Sequence, residues 1–343
     1  MKKTFFILYL LTSCIMAQTG YTLSGRVFDE LTDKTLANVN VYLSNSLLGT
    51  MTNDSGYYKI SGIHEGQFEV VASFIGYETK SQVMYFDNVI KQKKDFKLSP
   101  RTYVMEGISI TAEDPKVWRD NFALFRGLFL GRTSFADECE IENKEMIDFK
   151  RESLDLLTAS SKVPLVIVNK ALGYRINCIL QEFRWDMANQ KINYVVKPGF
   201  SLLKAEAGQD TLKWKENRMK AYEFSIERFL KSLIANDYFE KGYRIYLDQY
   251  PNAANYAGMS SERTSSEDLI NKSSRTKGDE YTLKFKGFLR IEYNHETTWL
   301  RMLYPEVTMD RSGNVKELIP FQVYGAWAHT GIANMLPQYF VAE

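Results

Sequence analysis

Apolar and polar residues alternate in short runs near the start of the chain. An apolar side chain recurs at about every second position, which is the period of a β-strand with one buried face. Asn, Asp and Gly residues mark turns between the runs. Short strands separated by turn signals predict an antiparallel β-sandwich over residues 21–98. The runs lie at residues 23–29, 37–43, 68–74, 81–86 and 94–98.

The strongest turn signal of the chain lies within residues 49–60. Asn53, Asp54, Ser55 and Gly56 follow a strand end that contains Thr and Met, and they precede an alternating aromatic run. Asn and Asp tolerate a left-handed backbone, and Gly adopts a positive φ without a Cβ clash. We therefore predict a β-hairpin whose two strands are joined by this turn.

A linker over residues 99–115 separates the sandwich from a second part, residues 116–343. Residues 104–111 alternate loosely and predict one further strand. After an acidic helix start at residues 112–115, aromatic side chains follow at spacings of 4, 3 and 4 residues. This spacing predicts an amphipathic helix that packs its aromatic side against the core, with Trp118, Phe122, Phe125 and Phe129 on that side.

The second part mixes strands with helices, which makes it α+β. Residues 148–200 carry strand patterns that predict a meander, at residues 154–156, 164–168, 174–180 and 191–196. Residues 211–236 have a helical period, with Met219, Tyr222, Ile226, Phe229, Leu230 and Leu233 on one face. We predict a single long helix there.

The end of the chain returns to strands after a polar stretch. Residues 252–278 are rich in Ser and Asn and predict a long exposed loop. Residues 281–293 predict one strong strand, and residues 310–314 a hairpin turn. A last strand and bend at residues 320–327 and a short helix at residues 332–336 complete the prediction.

Composition changes this picture little. Hydrophobic residues make up 45% and charged residues 25% of the 343 residues, which is the balance of a folded globular protein. The net charge is +1, so the basic surface that a nucleic-acid-binding protein needs is missing. Tyr and Phe, at 21 residues each, favour strands and a buried aromatic core.

The first residues carry an export signal. Two lysines, a short apolar run over residues 4–12 and small residues predict a signal peptide over residues 1–17. Cleavage after Ala17 suits an ordinary signal peptidase, while Leu11 to Cys14 resembles a lipobox that would leave a lipid on Cys14. The short apolar run favours Ala17. No later stretch is apolar over the ~18 residues of a transmembrane helix, so we expect an exported protein, in the periplasm or at the outer membrane or cell surface.

Two cysteines remain after the signal peptide. Cys139 and Cys178 can form a disulfide in an exported protein, or remain as two buried thiols. No Cys-x-x-Cys occurs, so a zinc knuckle or a redox motif has no support.

The residues of the sandwich resemble a known family. The pattern consists of Gly25-x-Val27-x-Asp29, Leu36-Ala37-Asn38-Val39-x-Val41, Gly49-Thr50-x-Thr52-x-x-x-Gly56-x-Tyr58 and Phe74-x-Gly76-Tyr77. It resembles the carboxypeptidase regulatory-like domain, a transthyretin-like (prealbumin-like) β-sandwich found in exported and outer-membrane bacterial proteins. The resemblance implies a module for docking, folding or binding without catalytic groups. The second part resembles an uncharacterised region that follows such modules, and this adds no chemistry.

The motifs of known active sites are missing from the sequence. A zinc peptidase needs close His and carboxylate ligands, but His64, His295 and His329 stand in no such spacing. Nucleophile-elbow, phosphate-binding and dinucleotide-binding motifs are also missing. We therefore predict no catalytic residue, no metal site and no cofactor.

Two weaker hypotheses concern ligand contacts. Asp29, Asp54 and Glu65 would bind calcium if one end of the sandwich brought them together, although solvated loop positions explain them better. Trp185, next to Arg184 at a strand end, is the best candidate for stacking on a sugar ring.

Three functions remain after these exclusions. We favour a non-catalytic exported envelope protein whose sandwich docks, folds or binds, with an unknown envelope protein as partner. The first alternative is a carbohydrate-binding protein with a glycan as partner. The second alternative is an unrecognised hydrolase in the C-terminal part, which would require a pocket with titratable groups within reach of one another.

Overall fold

The computed structural model describes residues 20–87, 89–101, 114–205, 208–250, 262–272, 280–317 and 319–340. Strands dominate these residues, and the prediction of a mostly β protein with an N-terminal sandwich and an α+β second part is confirmed. The predicted signal peptide with Cys14 and the predicted strand at residues 104–111 lie outside the described residues. Among the described helices, none is long and apolar enough to cross a membrane.

Two small sheets form the sandwich. One has the order β3-β2-β5-β6, and in the other β1 lies beside β4, β7 and β8. β1 pairs with β4 antiparallel but with β7 and β8 parallel, so the sandwich is not purely antiparallel. The strands are β1 (Tyr21–Asp29), β2 (Asn40–Leu43), β3 (Gly49–Met51), β4 (Tyr57–Ile63), β5 (Gly66–Ser73), β6 (Lys80–Phe86), β7 (Lys91–Lys93) and β8 (Phe96–Leu98).

Alternation along these strands produces the core between the two sheets. Val41 and Leu43 of β2 face inward and are fully buried, while Asn40 and Tyr42 face the outer side. The inner positions of β1, β4 and β5 complete this core, which includes Leu23, Val27, Tyr58, Ile60, Phe68 and Val70. The period-2 pattern of the sequence therefore identified the buried face correctly.

The predicted hairpin at residues 49–60 is wrong in its pairing. The turn exists: the Asn53 side chain accepts hydrogen bonds from the N–H groups of Ser55 (3.1 Å) and Tyr57 (2.9 Å), and Gly56 has a φ of 68°. However, β3 pairs with β2 and β4 pairs with β1, so the turn carries the chain from one sheet to the other. Alternation shows which face is buried, but it does not show which strand is the partner.

The second part begins with the predicted aromatic helix. α1 (Pro115–Phe129) starts where the Asp114 side chain accepts a hydrogen bond from the N–H of Lys116 at 2.8 Å. Phe125 and Phe129 are fully buried and stack at 4.8 Å between ring centroids. α2 (Ser134–Asp137) and a 3₁₀ turn at Lys144–Met146 follow along the chain.

A six-stranded sheet packs against this helix. Its order is β10-β11-β13-β12-β9, and β14 pairs with the whole length of β13. Its strands are β9 (Cys139–Ile141), β10 (Ile147–Ser153), β11 (Leu156–Ser161), β12 (Leu165–Asn169), β13 (Tyr174–Asp186) and β14 (Lys191–Leu202). Strands are present where residues 164–168, 174–180 and 191–196 predicted them, but the predicted meander is wrong, because β11 lies beside β13 rather than beside β12. Leu154 is 90% exposed in the turn between β10 and β11, so the strand predicted at residues 154–156 begins only at Leu156.

Both cysteines of this sheet are free and buried. Cys139 pairs across the sheet with Asn169, and Cys178 pairs with Leu165 of the same strand, β12. Four residues of an extended strand separate those two partners by roughly 13 Å. The sheet therefore holds the thiols too far apart for the disulfide that the sequence left open.

The predicted long helix is broken in two. α3 (Gly208–Glu223) and α4 (Ile226–Ala235) are separated at Ser225, whose side chain accepts a hydrogen bond from the N–H of Arg228 at 3.1 Å. Ser225 caps α4 and has an extended backbone, so the chain turns between the two helices. The apolar stripe that is continuous in the sequence therefore belongs to two helices with different directions.

The remaining strands form two further sheets around α4. β16-β15-β19-β20-β22 is one sheet, and β17-β18-β21 is the other. The elements are β15 (Arg244–Asp248), β16 (Glu262–Arg263), α5 (Ser266–Leu269), β17 (Ile270–Lys272), β18 (Glu280–Leu283), β19 (Phe288–Tyr293), β20 (Glu296–Met302), β21 (Val307–Asp310) and β22 (Phe321–Gly325), with 3₁₀ turns at Ala326–His329 and Ile332–Asn334.

Two predictions for this region need correction. The strand predicted at residues 281–293 is two strands in different sheets, broken at Gly287, which has a φ of 75° and lies against the Asp248 carbonyl. The loop predicted at residues 252–278 contains short elements over residues 262–272, and the rest of it lies outside the described residues. The turn at residues 310–314 and the last strand and bend are confirmed, and the predicted final helix is a 3₁₀ turn.

Candidate functional site

The two parts of the protein meet where β14 crosses the outer face of β2. The Tyr42 hydroxyl donates a hydrogen bond to the Lys197 carbonyl at 3.0 Å. A Cβ on Gly199 would lie 2.8 Å from the Tyr42 ring, so only a glycine lets the strand approach this closely. Val71, opposite Tyr42 in the sheet, is fully buried although it does not belong to the sandwich core.

A charged pair fixes the same junction. The Lys197 ammonium donates to the Glu69 carboxylate and to the Ser81 hydroxyl (2.5 Å), and Ser81 donates to Glu69 at 2.7 Å. The side chains of Lys197 and Glu69 are only 10% and 23% exposed. These three groups satisfy one another at the edge of a buried interface, and they link β14 to β5 and β6.

Beyond this junction the two parts separate and leave a groove of about 1170 Å³. The sandwich wall includes all of β3, and the opposite wall comes from β12, β13, β14 and the 3₁₀ turn at Lys144–Met146. Large apolar side chains stay exposed along it, namely Leu47 (45%), Met51 (61%), Ile75 (81%), Met146 (47%) and Leu202 (61%). Exposed apolar side chains gathered in one concave region indicate a binding surface rather than an ordinary protein surface.

One wall of this groove is the edge of a sheet. Hydrogen-bonded pairs alternate with non-bonded pairs along β2 and β3. The Leu43 N–H donates to the Leu48 carbonyl at 2.9 Å, and the Thr52 N–H donates to the Val39 carbonyl at 3.0 Å. These two hydrogen-bonded pairs lie at the two ends of the β2–β3 ladder, and they show which of the pairs between them are hydrogen-bonded.

The alternation leaves β3 with a free edge. Thr50, opposite Val41, uses its backbone groups toward β2. Gly49 and Met51 therefore direct their N–H and C=O groups away from β2, and their N–H groups have no protein acceptor within the described residues. An unpaired strand edge is a template for another extended chain.

The groove is also electrically neutral. Among the described residues that line it there is no Asp, Glu, Lys, Arg or His, although charged residues make up 25% of the chain. Its polar groups are amides and hydroxyls, such as those of Asn40, Asn143, Asn177 and Ser73. Such a lining suits an uncharged ligand that offers both hydrogen-bonding groups and apolar surface.

Trp185 does not provide the exposed ring that the sequence suggested. It lies in β13, is only 8% exposed, and belongs to the hydrophobic core around Phe125. Its ring therefore has no open face on which a sugar could stack. The neighbouring Asp186 accepts hydrogen bonds from Asn189, and these bonds lower the pKa of its carboxyl group and close the turn after β13.

The other candidates fall on separate elements. His64 stacks on Tyr339, His295 lies in the turn after β19, and His329 ends a 3₁₀ turn. Asp29 accepts hydrogen bonds from the Tyr77 hydroxyl (2.8 Å) and from the N–H groups of the following loop, which lower its pKa. Within the described residues, no group of three or more His, Cys, Asp or Glu side chains could hold a metal ion.

Sequence reasoning missed the residues that form the groove. The sequence analysis placed Met51 at a strand end and assigned Ile75 to no element, but both side chains are more than half exposed. Their signal was available in principle, since a large apolar residue directly beside a Gly or Asn turn is unusual on a solvated surface. The opposite wall begins at Asn143, which is 68 residues after Ile75 in the chain, so no local pattern connects the two.

Comparisons with known proteins concern the sandwich. Residues 23–110 match the family model of the CarboxypepD_reg-like domain, which confirms the resemblance found in the sequence. No curated protein matches the chain.

Similar solved structures cover about a quarter of this chain. The pilus 2b backbone protein of group B streptococcus is 16% identical over 24% of this chain and 42% of that chain, with a TM-score of 0.22. The 5-hydroxyisourate hydrolase of Klebsiella pneumoniae is 18% identical over 24% of this chain and 92% of that chain, with a TM-score of 0.21. A double mutant of the shaft pilin SpaA from Lactobacillus rhamnosus GG is 15% identical over 24% of this chain and 47% of that chain, with a TM-score of 0.20.

The chain thus spans less than half of either pilin. Similarity of this extent carries no argument about activity. The family match is confined to residues 23–110, and the region that follows it matches no recognised family.

Proposed function

We propose that this protein is a non-catalytic docking protein of the cell envelope, and that its groove binds an extended, uncharged segment of a partner protein. A CarboxypepD_reg-like domain fits a binding or docking module. The observation that carries the proposal is the free edge of β3 within a groove whose lining has no charged residue. The signal peptide predicted at residues 1–17 supports the location.

The geometry suits a peptide that adds a strand to β3. Its backbone would exchange hydrogen bonds with Gly49 and Met51, which supply affinity independent of sequence. Every second side chain of the peptide would pack against the exposed apolar groups, including Ile75 and Leu202. A charged side chain in the same place would lose its hydration without finding a counter-ion, so the groove selects against charge.

The lining of the groove also supports a role without catalysis. General acid–base and nucleophilic catalysis need titratable groups within reach of the substrate. The described lining supplies amides, hydroxyls and apolar groups, and none of these is paired with a base. A hydrolase in the second part would need its reacting groups elsewhere.

Peptide selection tests the proposal. The protein without its signal peptide is panned against a random decapeptide phage library, and selected peptides are measured by fluorescence polarisation. We expect uncharged peptides with alternating apolar residues. Charged consensus sequences, or a glycan array that binds while peptides do not, would overturn the proposal.

A matched pair of proline variants locates the binding edge. Met51→Pro removes an N–H that points into the groove, and an edge strand tolerates proline at such a position. Val83→Pro is the control, because Val83 lies in β6, at the opposite edge of the same sheet. The Ser44 N–H donates to the Glu69 carbonyl, so the backbone groups of Glu69 point toward β2. Val83 lies opposite Glu69 and therefore directs its own N–H and C=O groups away from the sheet.

The expected result is a loss of about tenfold in peptide affinity for Met51→Pro, which corresponds to about 1.4 kcal/mol for a lost hydrogen bond. Val83→Pro should bind as the native protein does. A second pair places a charge inside the groove with Ile75→Asp and outside it with Leu154→Asp. Equal binding by Met51→Pro and the native protein, or dimerisation through the groove in sedimentation experiments, would contradict a partner peptide on β3.

Export is tested separately. Residues 1–20 are fused to alkaline phosphatase, which is active only after export, and we expect activity. Labelling with palmitate then distinguishes lipidation at Cys14 from cleavage after Ala17, and the favoured interpretation predicts no label. An inactive fusion would remove the envelope location and leave the groove proposal to its own test.

A further inference from the structure

A second cavity, of about 550 Å³, lies beside the groove. It is enclosed by the end of the sandwich near His64, by helix α3 and by the C-terminal segment at residues 337–340. Its volume falls within the range of sites for small organic molecules. Unlike the groove, this cavity is lined by positively charged groups.

Two cations project from the same face of α3. Lys215 and Arg218 are three residues apart, which places them as neighbours on one helical face. No Asp or Glu lines the cavity, and neither cation forms an ion pair with a carboxylate among the described residues. Lys213 of the same helix differs, since it pairs with Glu138 at 2.6 Å. Lys215 and Arg218 are therefore available to pair with an anionic ligand.

Arg218 is held in place before any ligand arrives. Its Nε donates to the Leu172 carbonyl at 2.7 Å, and its Nη2 donates to the Gly173 carbonyl at 3.3 Å. The guanidinium also lies over the Tyr174 ring, 4.2 Å from the centroid. These contacts leave Nη1 without a protein acceptor in the described residues, and a fixed guanidinium loses little entropy when it binds an anion.

Apart from the two cations, the cavity is lined by apolar and aromatic side chains together with the polar side chains of Ser46, His64, Thr211 and Gln338. Phe68, Leu202, Met219 and Phe340 line it, and Tyr339 lies between the cavity and Asp310. The Tyr339 hydroxyl donates a hydrogen bond to the Asp310 carboxylate at 2.8 Å. A ligand that fills this space needs an anionic end at α3 and an apolar body against these rings.

We propose that this cavity is a binding site for small organic carboxylates with an apolar body. The carboxylate accepts hydrogen bonds from Arg218 and Lys215, and the body packs against Phe68 and Phe340. The cavity shares lining residues such as Leu202 with the groove, but the two cations that define the site line the second cavity alone.

The test uses phenylalkanoates of increasing chain length and their primary amides as probes. Binding is followed by saturation-transfer NMR and quantified by calorimetry on the protein without its signal peptide. We expect the acid to bind at least tenfold more tightly than the amide of the same length, and to weaken as salt is added. Equal binding of acid and amide, or binding by neither, would overturn the proposal.

Variants connect the binding to the two cations. Lys215→Gln should weaken the acid about threefold to tenfold and leave the amide unchanged, while Lys213→Gln serves as the control on the same helix. Arg218→Lys keeps the charge but loses the planar fork, and it should also weaken the acid. If Arg218→Lys disturbs the fold by circular dichroism, Lys215→Gln decides the result, because Lys215 is exposed and forms no hydrogen bond within the described residues. Unchanged acid binding in Lys215→Gln would refute the assignment.

Discussion

The pair of Lys197 and Glu69 should hold the two parts of the protein together. Lys197 lies on β14 and Glu69 on β5, and Ser81 bonds to both. Removing one partner of a fully buried ion pair costs about 3–5 kcal/mol, because an uncompensated charge stays behind. Here the side chains are 10% and 23% exposed, so water recovers part of that cost.

The two single variants should lower the free energy of unfolding by different amounts. Glu69→Gln leaves the more buried Lys197 charge without its partner, and we expect it to lower the free energy of unfolding by about 3 kcal/mol. Lys197→Met leaves the more exposed Glu69, which still accepts a hydrogen bond from Ser81, and about 2 kcal/mol is expected. The double variant should cost less than the sum of the two, giving a coupling energy of about 2 kcal/mol.

An exposed pair provides the control cycle. Lys213 and Glu138 lie 2.6 Å apart, with side chains 50% and 38% exposed. Exposed pairs contribute about 0.2–1 kcal/mol, so the coupling energy between Lys213→Met and Glu138→Gln should stay below about 1 kcal/mol. The same substitutions in both cycles isolate the effect of burial.

The assay can also show where the pair acts. All five tryptophans lie after residue 115, so tryptophan fluorescence in urea reports on the second part alone, while circular dichroism reports on the whole chain. If the pair couples the parts, the two transitions should separate in Glu69→Gln more than in the native protein. A coupling energy no larger than that of the control pair would refute the reasoning.

Three further outcomes follow from single sites. Burial, together with the Asp310 charge, raises the pKa of Glu227 from 4.5 to about 7. Between these pH values the folded state keeps a proton that the unfolded state loses, so the free energy of unfolding should fall by roughly 3 kcal/mol as pH rises from 4.5 to 7. Urea titrations of Glu227→Gln should lack this fall. Burial raises the pKa of the Cys139 thiol to about 12 and also raises the pKa of Cys178, so Ellman's reagent at pH 8 should label neither thiol in the native protein and both in guanidinium; rapid labelling of the native protein would contradict this. Gly173 has a φ of 70°, and the Trp214 indole ring fills the place where a Cβ would lie, so Gly173→Ala should lower stability by about 2 kcal/mol or more, and an unchanged melting temperature would count against this close approach.

Local patterns predicted the elements and faces of this fold with good accuracy. Alternation located β2 and β5 and identified Val41 and Leu43 as core, because the two faces of a sheet differ in solvent exposure. The α1 start at Asp114 also followed from capping chemistry that acts within three residues. These features depend on neighbours along the chain, so a single sequence contains them.

The way in which these elements pack against one another could not be predicted from such local patterns. The break at Ser225 leaves the apolar stripe of α3 and α4 unchanged, so periodicity does not reveal it. The close approach at Gly199 depends on Tyr42, which lies on a different part of the protein. Trp185 illustrates the same problem, since a tryptophan at a strand end looks exposed until the packing of β11 and β14 is known.

The mistaken hairpin explains why a groove exists at all. Had β3 and β4 paired as the turn suggested, β4 would have covered the outer edge of β3. Because the turn at Asn53 sends β4 to the other sheet, where it pairs with β1, that edge keeps its unpaired N–H groups. Proteins usually protect such edges with charge, proline or a covering segment. Here the edge is short and neutral and faces a second wall of protein, so its N–H groups stay free for the partner strand that we propose.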